Sequence, residues 1–592
     1  MKLKKITRNI KYFVPLIFKS SPVTIIMMVL GALTIAVRNI SWVVIPKLIL
    51  DELFYDETHN NLIFIISVFI AINLITSIFS NVINSVKNYN IRKVDFYIDK
   101  IFNEKVANVD YHNIEDPKFN DELSYARKCL SQYSGGIYSI CYNIESIISS
   151  IISLIGVLGI VLTSGEILVI ILMIISIILN GIIYSKFQKI DEDFNKEEVG
   201  YYRKQWYYNQ SIFSFRTQKN IRLYDANELI NEKSDKLNKH AFSVERKTAK
   251  KRTMVDSFES IVDYIITGLG MILLLTYSVY YKGITISVFT MLYSGVNSLT
   301  GSISSIIYSL RTYYQDCVYQ EHFIDLMEKE SIFKNGNEEI SKIETIEFKN
   351  VSFKYPRTDV YVLKNLSFSI NNKEKISLVG LNGSGKTTII KLICRFYEVK
   401  EGEILVNGKN INCYKYDDYM KCLSVVFQDF KIISFNIKSN IAIVDDNKEK
   451  LDDVLKRSQV YDRVNELPDK EYTYINKWFN KKGVEFSGGE MQKFALARAL
   501  YKEADLVVLD EPTSALDPVS EAEIYYHFND VVGKKLTLFI SHRLSSCIFS
   551  DKILVLDGNK IVESGNHKEL ISNKEGLYYK MFTAQAEYYK DN

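Results

Sequence analysis

The 592-residue sequence lacks most of the patterns by which metal or nucleic-acid sites show themselves. Its seven cysteines, at 129, 141, 317, 394, 413, 422 and 547, form no CxxC pair and no zinc-ligand spacing. That excludes a zinc module and points to reduced, buried thiols. The net charge is only +3, and no run of basic residues is interleaved with aromatics, so no nucleic-acid partner is expected. Two long segments, 87–128 and 186–252, have no Pro-Gly clusters of the kind that mark loose linkers. The largest absence is charge itself. Leu62–Val82, Ser146–Ser164, Ile167–Ser185, Tyr264–Tyr281 and Gly283–Leu310 contain none, and Pro22–Leu50 carries only Arg38 and Lys47.

About 20 apolar residues cross the hydrocarbon core of a bilayer. Six such windows predict an all-α membrane domain with six spans over residues 21–325, because a soluble core would have to hide helices that are apolar all round. Lys and Arg concentrate in the N-terminal stretch and in the two long segments between spans, while the remaining connections are short and nearly free of them. Basic segments stay in the cytosol, so both termini are expected inside, in a multi-pass protein of the cell membrane. Residues 1–20 read as an amphipathic segment along the inner surface. The basic arms read as helices continuing into the cytosol and turning at Asn113–Ala126 and Phe213–Leu229. In the last span Thr290, Ser294, Asn297, Ser298, Ser302 and Ser305 recur at helical spacing. A cargo path and simple helix packing account for them equally well. Arg38, costly in lipid, is expected to face an interior cavity.

After a linker (326–344) the pattern changes to that of an α/β domain, 345–587, with a short tail, 588–592. The strand-like "KISLVG" feeds into Gly380, Leu381, Asn382, Gly383, Ser384, Gly385, Lys386, Thr387 and Thr388, followed by a helix. That strand–loop–helix order is what a phosphate-binding loop requires: glycines turn successive N–H groups inward and the helix N-terminus favours an anion. Lys386 would reach the β- and γ-phosphates of a nucleotide, and the Thr387 hydroxyl would ligate Mg²⁺. A second apolar strand, "DLVVLDE", ends in Asp510, placed to hold the metal, and Glu511, placed to polarise a water. Between them Ser487, Gly488, Gly489 and Glu490 open another helix. One triphosphate has no use for two such helix ends in one domain, which suggests two domains closing on each other's nucleotide.

These strings, with Gln428 in "VVFQDF", "LVVLDEPTSALD" and His542 in "FISHRL", resemble the nucleotide-binding domain of the ATP-binding cassette (ABC) family. With six preceding spans the whole chain resembles an ABC half-transporter of the exporter type. The resemblance implies a second half-transporter as partner (a homodimer, since no catalytic position is degenerate, or a heterodimer), and two composite sites for ATP and Mg²⁺. By position it implies Tyr355 on the adenine, Gln428 at the metal and its water, Asp517 between the two sites, and His542 beside Glu511 and Lys386 at the γ-phosphate. The stretch before Ser487, "INKWFNKKGVEF", departs from the family pattern.

The function expected is ATP-driven export by alternating access. The elbows "EDPKFNDELSYA" and "KNIRLYD" resemble those of bacterial exporters of peptides, including bacteriocin carriers. A lipid flippase, a multidrug exporter, an importer built on the exporter fold and an ATP-gated channel would share both halves. A soluble cassette ATPase is excluded by the uncharged spans.

Overall fold

The computed structural model describes residues 2–55, 59–130, 135–163, 167–443, 445–512, 533, 535–541 and 543–588. The chain divides into two compact units: Met1–Val109 with Glu115–Lys329, and Asp110–Ile114 with Glu330–Asn592.

In the first unit the charge-free windows are helical. It contains α1 (Lys2–Ser20), α2 (Pro22–Tyr55), α3 (Leu62–Ala107), α5 (Pro117–Lys128), α6 (Ile137–Thr163), α7 (Ile167–Phe213), α8 (Phe215–Leu223), α9 (Asn227–Asp263), α10 (Gly270–Lys282) and α11 (Ile286–Glu328). The short α4 (Tyr111–Ile114) belongs to the second unit. Among the described residues α2, α3 and α6 are long and apolar enough to cross a membrane. The span expected at 167–185 lies in α7, where side chains are only partly described. Helix α11 is apolar but repeatedly interrupted by Ser, Thr, Asn and Gly. Ile63, Phe64, Ile70, Leu74 and Phe79 of α3 point outward, more exposed apolar surface than a soluble fold carries.

Helix α3 has 46 residues and α7 has 47, so each is about 70 Å long at 1.5 Å per residue. That is more than twice the hydrocarbon thickness of about 30 Å. The turns after α3 and between α10 and α11 are written in the sequence. Asp116 accepts from Lys118 N at 2.8 Å with Pro117 in the first position of α5, a capped helix start. Gly283, at φ +71°, ends α10, and Thr285 caps α11 by accepting from Val288 N.

Packing adds to two of the expectations. Helix α1 does not simply lie on a surface: Phe13 and Ile17 are buried, Phe13 sits 5.7 Å from Phe323, and Phe102 stacks on Phe323 at 5.8 Å. Its basic face is ion-paired to the end of α11, Lys5 with Glu321 (2.5 Å) and Arg8 with Asp325 (2.8 Å) and Glu328 (2.7 Å). Arg38 is exposed in the single chain, and its neighbour Asn39 lines an interior cleft. One residue's step along a helix rotates the side chain by about 100°.

The second unit holds two sheets. The smaller has the order β2 (Leu363–Ile370), β1 (Ile346–Phe353), β4 (Glu401–Val406), β5 (Lys409–Asn410). The larger runs β10 (Lys560–Gly565), β9 (Lys552–Asp557), β3 (Lys375–Gly380), β8 (Leu536–Ile540), β7 (Leu506–Asp510), β6 (Leu423–Val426). From β9 to β6 the pairings are parallel. Buried on both faces, "LVVLD" and "LTLFI" are near-continuously apolar for that reason. Residues 330–344 pack within this unit: Phe333, Ile340 and Ile343 are buried. The fully buried Arg395 ties the stretch down, donating to Phe333 O at 2.8 Å and Tyr414 O at 3.0 Å. The 110–114 segment sits here through Asp110, which accepts from Ile332 N at 2.8 Å, and Tyr111, which stacks on Phe396 at 4.4 Å.

Candidate nucleotide site

Strand β3 ends at Gly380, and the chain turns through 381–385 into α12 (Lys386–Ile393). Two glycines make the turn possible. Gly380 has φ +149° and a Cβ there would overlap the carbonyl of Leu556; Gly385 has φ +98° and a Cβ would lie 2.7 Å from Leu363 Cδ2. Lys386 folds back over the loop, its ammonium donating to Gly380 O and Leu381 O, each at 2.9 Å. Burial lowers its pKa, against the opposing pull of Glu511 and Asp510. The Ser384 hydroxyl is buried with no partner among the described residues. A buried orphan hydroxyl in a loop of inward-facing backbone suits an incoming anion.

The parallel strand β7 delivers the two acids. Asp510 is buried and accepts from the Thr387 hydroxyl at 3.3 Å. Desolvation, then the neighbouring Glu511, push its carboxyl up to about 6. Glu511 has φ +50°, a conformation that costs an ordinary residue about 1–3 kcal/mol and persists only where neighbours impose it. The neighbours are identifiable: Glu511 N donates to Ile540 O at 3.0 Å, and the buried Gln492 amide donates to Glu511 O at 3.0 Å. Gln428, following β6, donates to Glu511 Oε2 at 3.0 Å.

These groups share one cleft of about 720 Å³, lined also by Tyr355, Asn382, Gly383 and Thr388. Tyr355 is held edge-on by Phe353 and Tyr397, both with centroids at 5.2 Å, and its hydroxyl shares a hydrogen bond of 3.0 Å with that of Thr388. Among the described residues lining the cleft the carboxylates are Asp510 and Glu511, beside the Thr387 hydroxyl and the Gln428 amide. Hard oxygen donors with a single inner carboxylate suit Mg²⁺ carried in on phosphates.

Ser487, Gly488, Gly489 and Glu490 do not line this cleft. They open α13 (Gly488–Tyr501) with a capping box: Ser487 Oγ accepts from Glu490 N at 3.2 Å, and Glu490 accepts from Ser487 N at 2.7 Å. Arg463 pairs with the same carboxylate at 2.9 Å. Asp517 and His542 lie outside the described residues. Gln492 escaped the sequence reading; a lone amide on the buried face of α13, among Phe494, Ala495 and Ala497, was its signal.

The sequence pattern of the ABC transporter family matches residues 363–514. The subtilin transport ATP-binding protein SpaT of Bacillus subtilis is 30% identical over 520 residues, 85% of this chain and 83% of that protein. An ATP-dependent lipid A-core flippase of Haemophilus influenzae is 30% identical over 359 residues, 59% and 60% of the two chains. The fold matches the structure of a bacterial Atm1-family ABC exporter with ATP bound, with a TM-score of 0.79 at 20% identity, covering 95% of this chain and 97% of that one. A helical unit of apolar spans joined to this cleft, with a relative matched along most of both lengths, places the chain in the ABC transporter family, as a membrane exporter that couples ATP hydrolysis to transport.

Proposed function

We propose that two copies of this chain export a peptide from the cytosol across the cell membrane. Residues 21–325 form the passage, 345–587 bind nucleotide, and 1–20, 326–344 and 588–592 flank them, with both termini and the nucleotide-binding domain in the cytosol. In each nucleotide site Tyr355 packs on the adenine. The loop from Gly380 to Gly385, with Asn382, Gly383 and Ser384, encloses the phosphates together with Lys386, Thr387 and Thr388. Thr387, Gln428 and Asp510 would hold Mg²⁺, which supplies positive charge against the phosphates. Glu511 takes the proton of the attacking water, with His542 supporting the γ-phosphate. Asp517 links the two sites. Ser487 to Glu490 close on the partner's nucleotide, which is why they stand away from the cleft of their own chain.

The observation that carries the nucleotide half is the convergence of Lys386, Thr387, Asp510, Gln428 and Glu511 on one cleft. ATP drives the cycle only in so far as it binds the closed pair better than the open one. For the cargo, support comes from the relative matched along most of its length, named for subtilin transport, and from elbows like those of peptide exporters. A lipid cargo is the second reading, supported by the flippase relative.

The test is uptake of labelled peptides into inside-out vesicles. Accumulation that needs external ATP and vanishes in Glu511→Gln supports peptide export. Uptake only in the opposite orientation would establish an importer. Lipid movement without peptide uptake would establish the second reading.

A further inference from the structure

Within the first unit α2, α3, α6 and α11 enclose a second cleft, of about 480 Å³, that the ATP cycle leaves unused. Its walls hold an ion pair, Lys87 of α3 with Glu145 of α6, whose side chains are 1% and 6% exposed. Lys87 does not depend on Glu145 alone: it also donates to Asn84 Oδ1 at 2.9 Å and lies 4.0 Å over the Tyr142 ring. The Glu145 carboxylate occupies a notch at Gly31, where a Cβ would overlap Oε1. The rest of the lining is mostly amide and hydroxyl, including Asn39, Ser146, Ser150, Ser302 and Ser305, with Ile35 and Gly301 among them.

Burying such a pair costs several kcal/mol per ion in desolvation, and well-packed apolar residues often replace one without loss. A pair kept only to join α3 to α6 has no need to border an open polar cleft. Its net charge is zero, so a ligand bearing one charge would leave the cleft charged in a region of low dielectric. A ligand carrying both signs a few ångströms apart replaces one ion pair by two and leaves the cleft neutral. Asn84 and the Tyr142 face stay beside Lys87 whichever carboxylate it meets. The volume lies in the usual range for ligand pockets, about 300–1,000 Å³.

We propose that this cleft is a cargo-binding niche for a dipolar stretch of peptide, its ammonium or guanidinium on Glu145, its carboxylate on Lys87, and its main-chain amides on the Asn and Ser wall. The inference rests on the peptide reading above and adds to it the charge pattern that the niche selects.

The test uses the full-length protein in lipid discs and four synthetic peptides of equal length and apolar content. One carries adjacent Lys and Asp, one Lys alone, one Asp alone and one neither. The half-maximal concentration for ATPase stimulation is read for each. The Lys-Asp peptide is expected to act at a concentration at least tenfold lower than the others, about 1.4 kcal/mol. The double variant K87Q/E145Q, which removes both charges without leaving either unpaired, should erase that advantage and keep the basal ATPase. The exchanged pair K87E/E145K should retain the advantage. Equal potency of all four peptides, or an advantage that survives K87Q/E145Q, would overturn the inference and leave peptide export standing. Silence toward all four, with stimulation that follows phosphatidylethanolamine content, would overturn the peptide reading and the inference together.

Discussion

Replacing Glu511 with Gln separates the carboxylate from everything else the residue does. Its left-handed backbone is held at its own N–H and carbonyl, by Ile540 O and the Gln492 amide, so the variant should keep its φ of +50°. The new side-chain amide still offers an oxygen to Gln428, which now donates at 3.0 Å. Nucleotide binding should therefore change less than threefold. What is lost is the proton acceptor. General-base catalysis contributes about 10²–10⁴-fold, or about 3–5 kcal/mol of barrier. Steady-state ATPase in lipid discs should fall by that factor, while equilibrium binding of a fluorescent ATP analogue stays near that of the unaltered protein. ATPase within threefold of the starting rate, with binding intact, would refute Glu511 as the base. Loss of both together would mean that the carboxylate holds the cleft together instead.

The remaining predictions concern the walls of the same cleft. Gly385→Ala places a Cβ against Leu363 and Val362 at φ +98°, so nucleotide affinity should drop at least tenfold with helical content unchanged by circular dichroism. Tyr355→Phe removes only the hydrogen bond to Thr388 and should shift the KM for ATP less than threefold, whereas Tyr355→Ala removes the ring and should raise it about tenfold. The Asp510 carboxyl sits at about 6 against an ordinary 3.8, so the native state retains a proton between those values that the unfolded chain has released. Stability of the nucleotide-free protein should therefore fall as pH rises through that window. Melting midpoints at pH 4.5 and 7.5 should differ less in Asp510→Asn; an unchanged difference would exclude Asp510 as its source.

The cleft was legible in the sequence because each of its parts is local. Gly380–Thr388 is a single turn and helix start, and Asp510 with Glu511 ends one buried strand. Their order along the chain carries the chemistry before any fold is known. The spans in α2, α3 and α6 were legible because hydrocarbon tolerates so few compositions. What escaped was pairwise and distant. Lys87 reads as the first residue of a cytosolic arm and Glu145 as the residue just before an apolar window. Only the packing of α3 on α6, 58 positions apart, makes them partners. Arg395 looks like an ordinary surface arginine between apolar residues. Its burial depends on carbonyls at 333 and 414, contributed by different parts of the chain. Helix α1 has the composition of a surface helix, and no local signal tells that Phe323 waits for it.

The capping box at Ser487 restricts what the N-terminus of α13 can meet. Its oxygen already receives the Glu490 N–H, so the hydroxyl proton must aim away from the helix. That leaves the proton and one lone pair of the oxygen for a guest, and the helix N-terminus around them favours an oxyanion. Glu490 itself would repel such a guest, but Arg463 cancels its charge at 2.9 Å. Polarity at this helix tip is thus set by the chain itself, through one capping hydrogen bond and one arginine, before anything binds there.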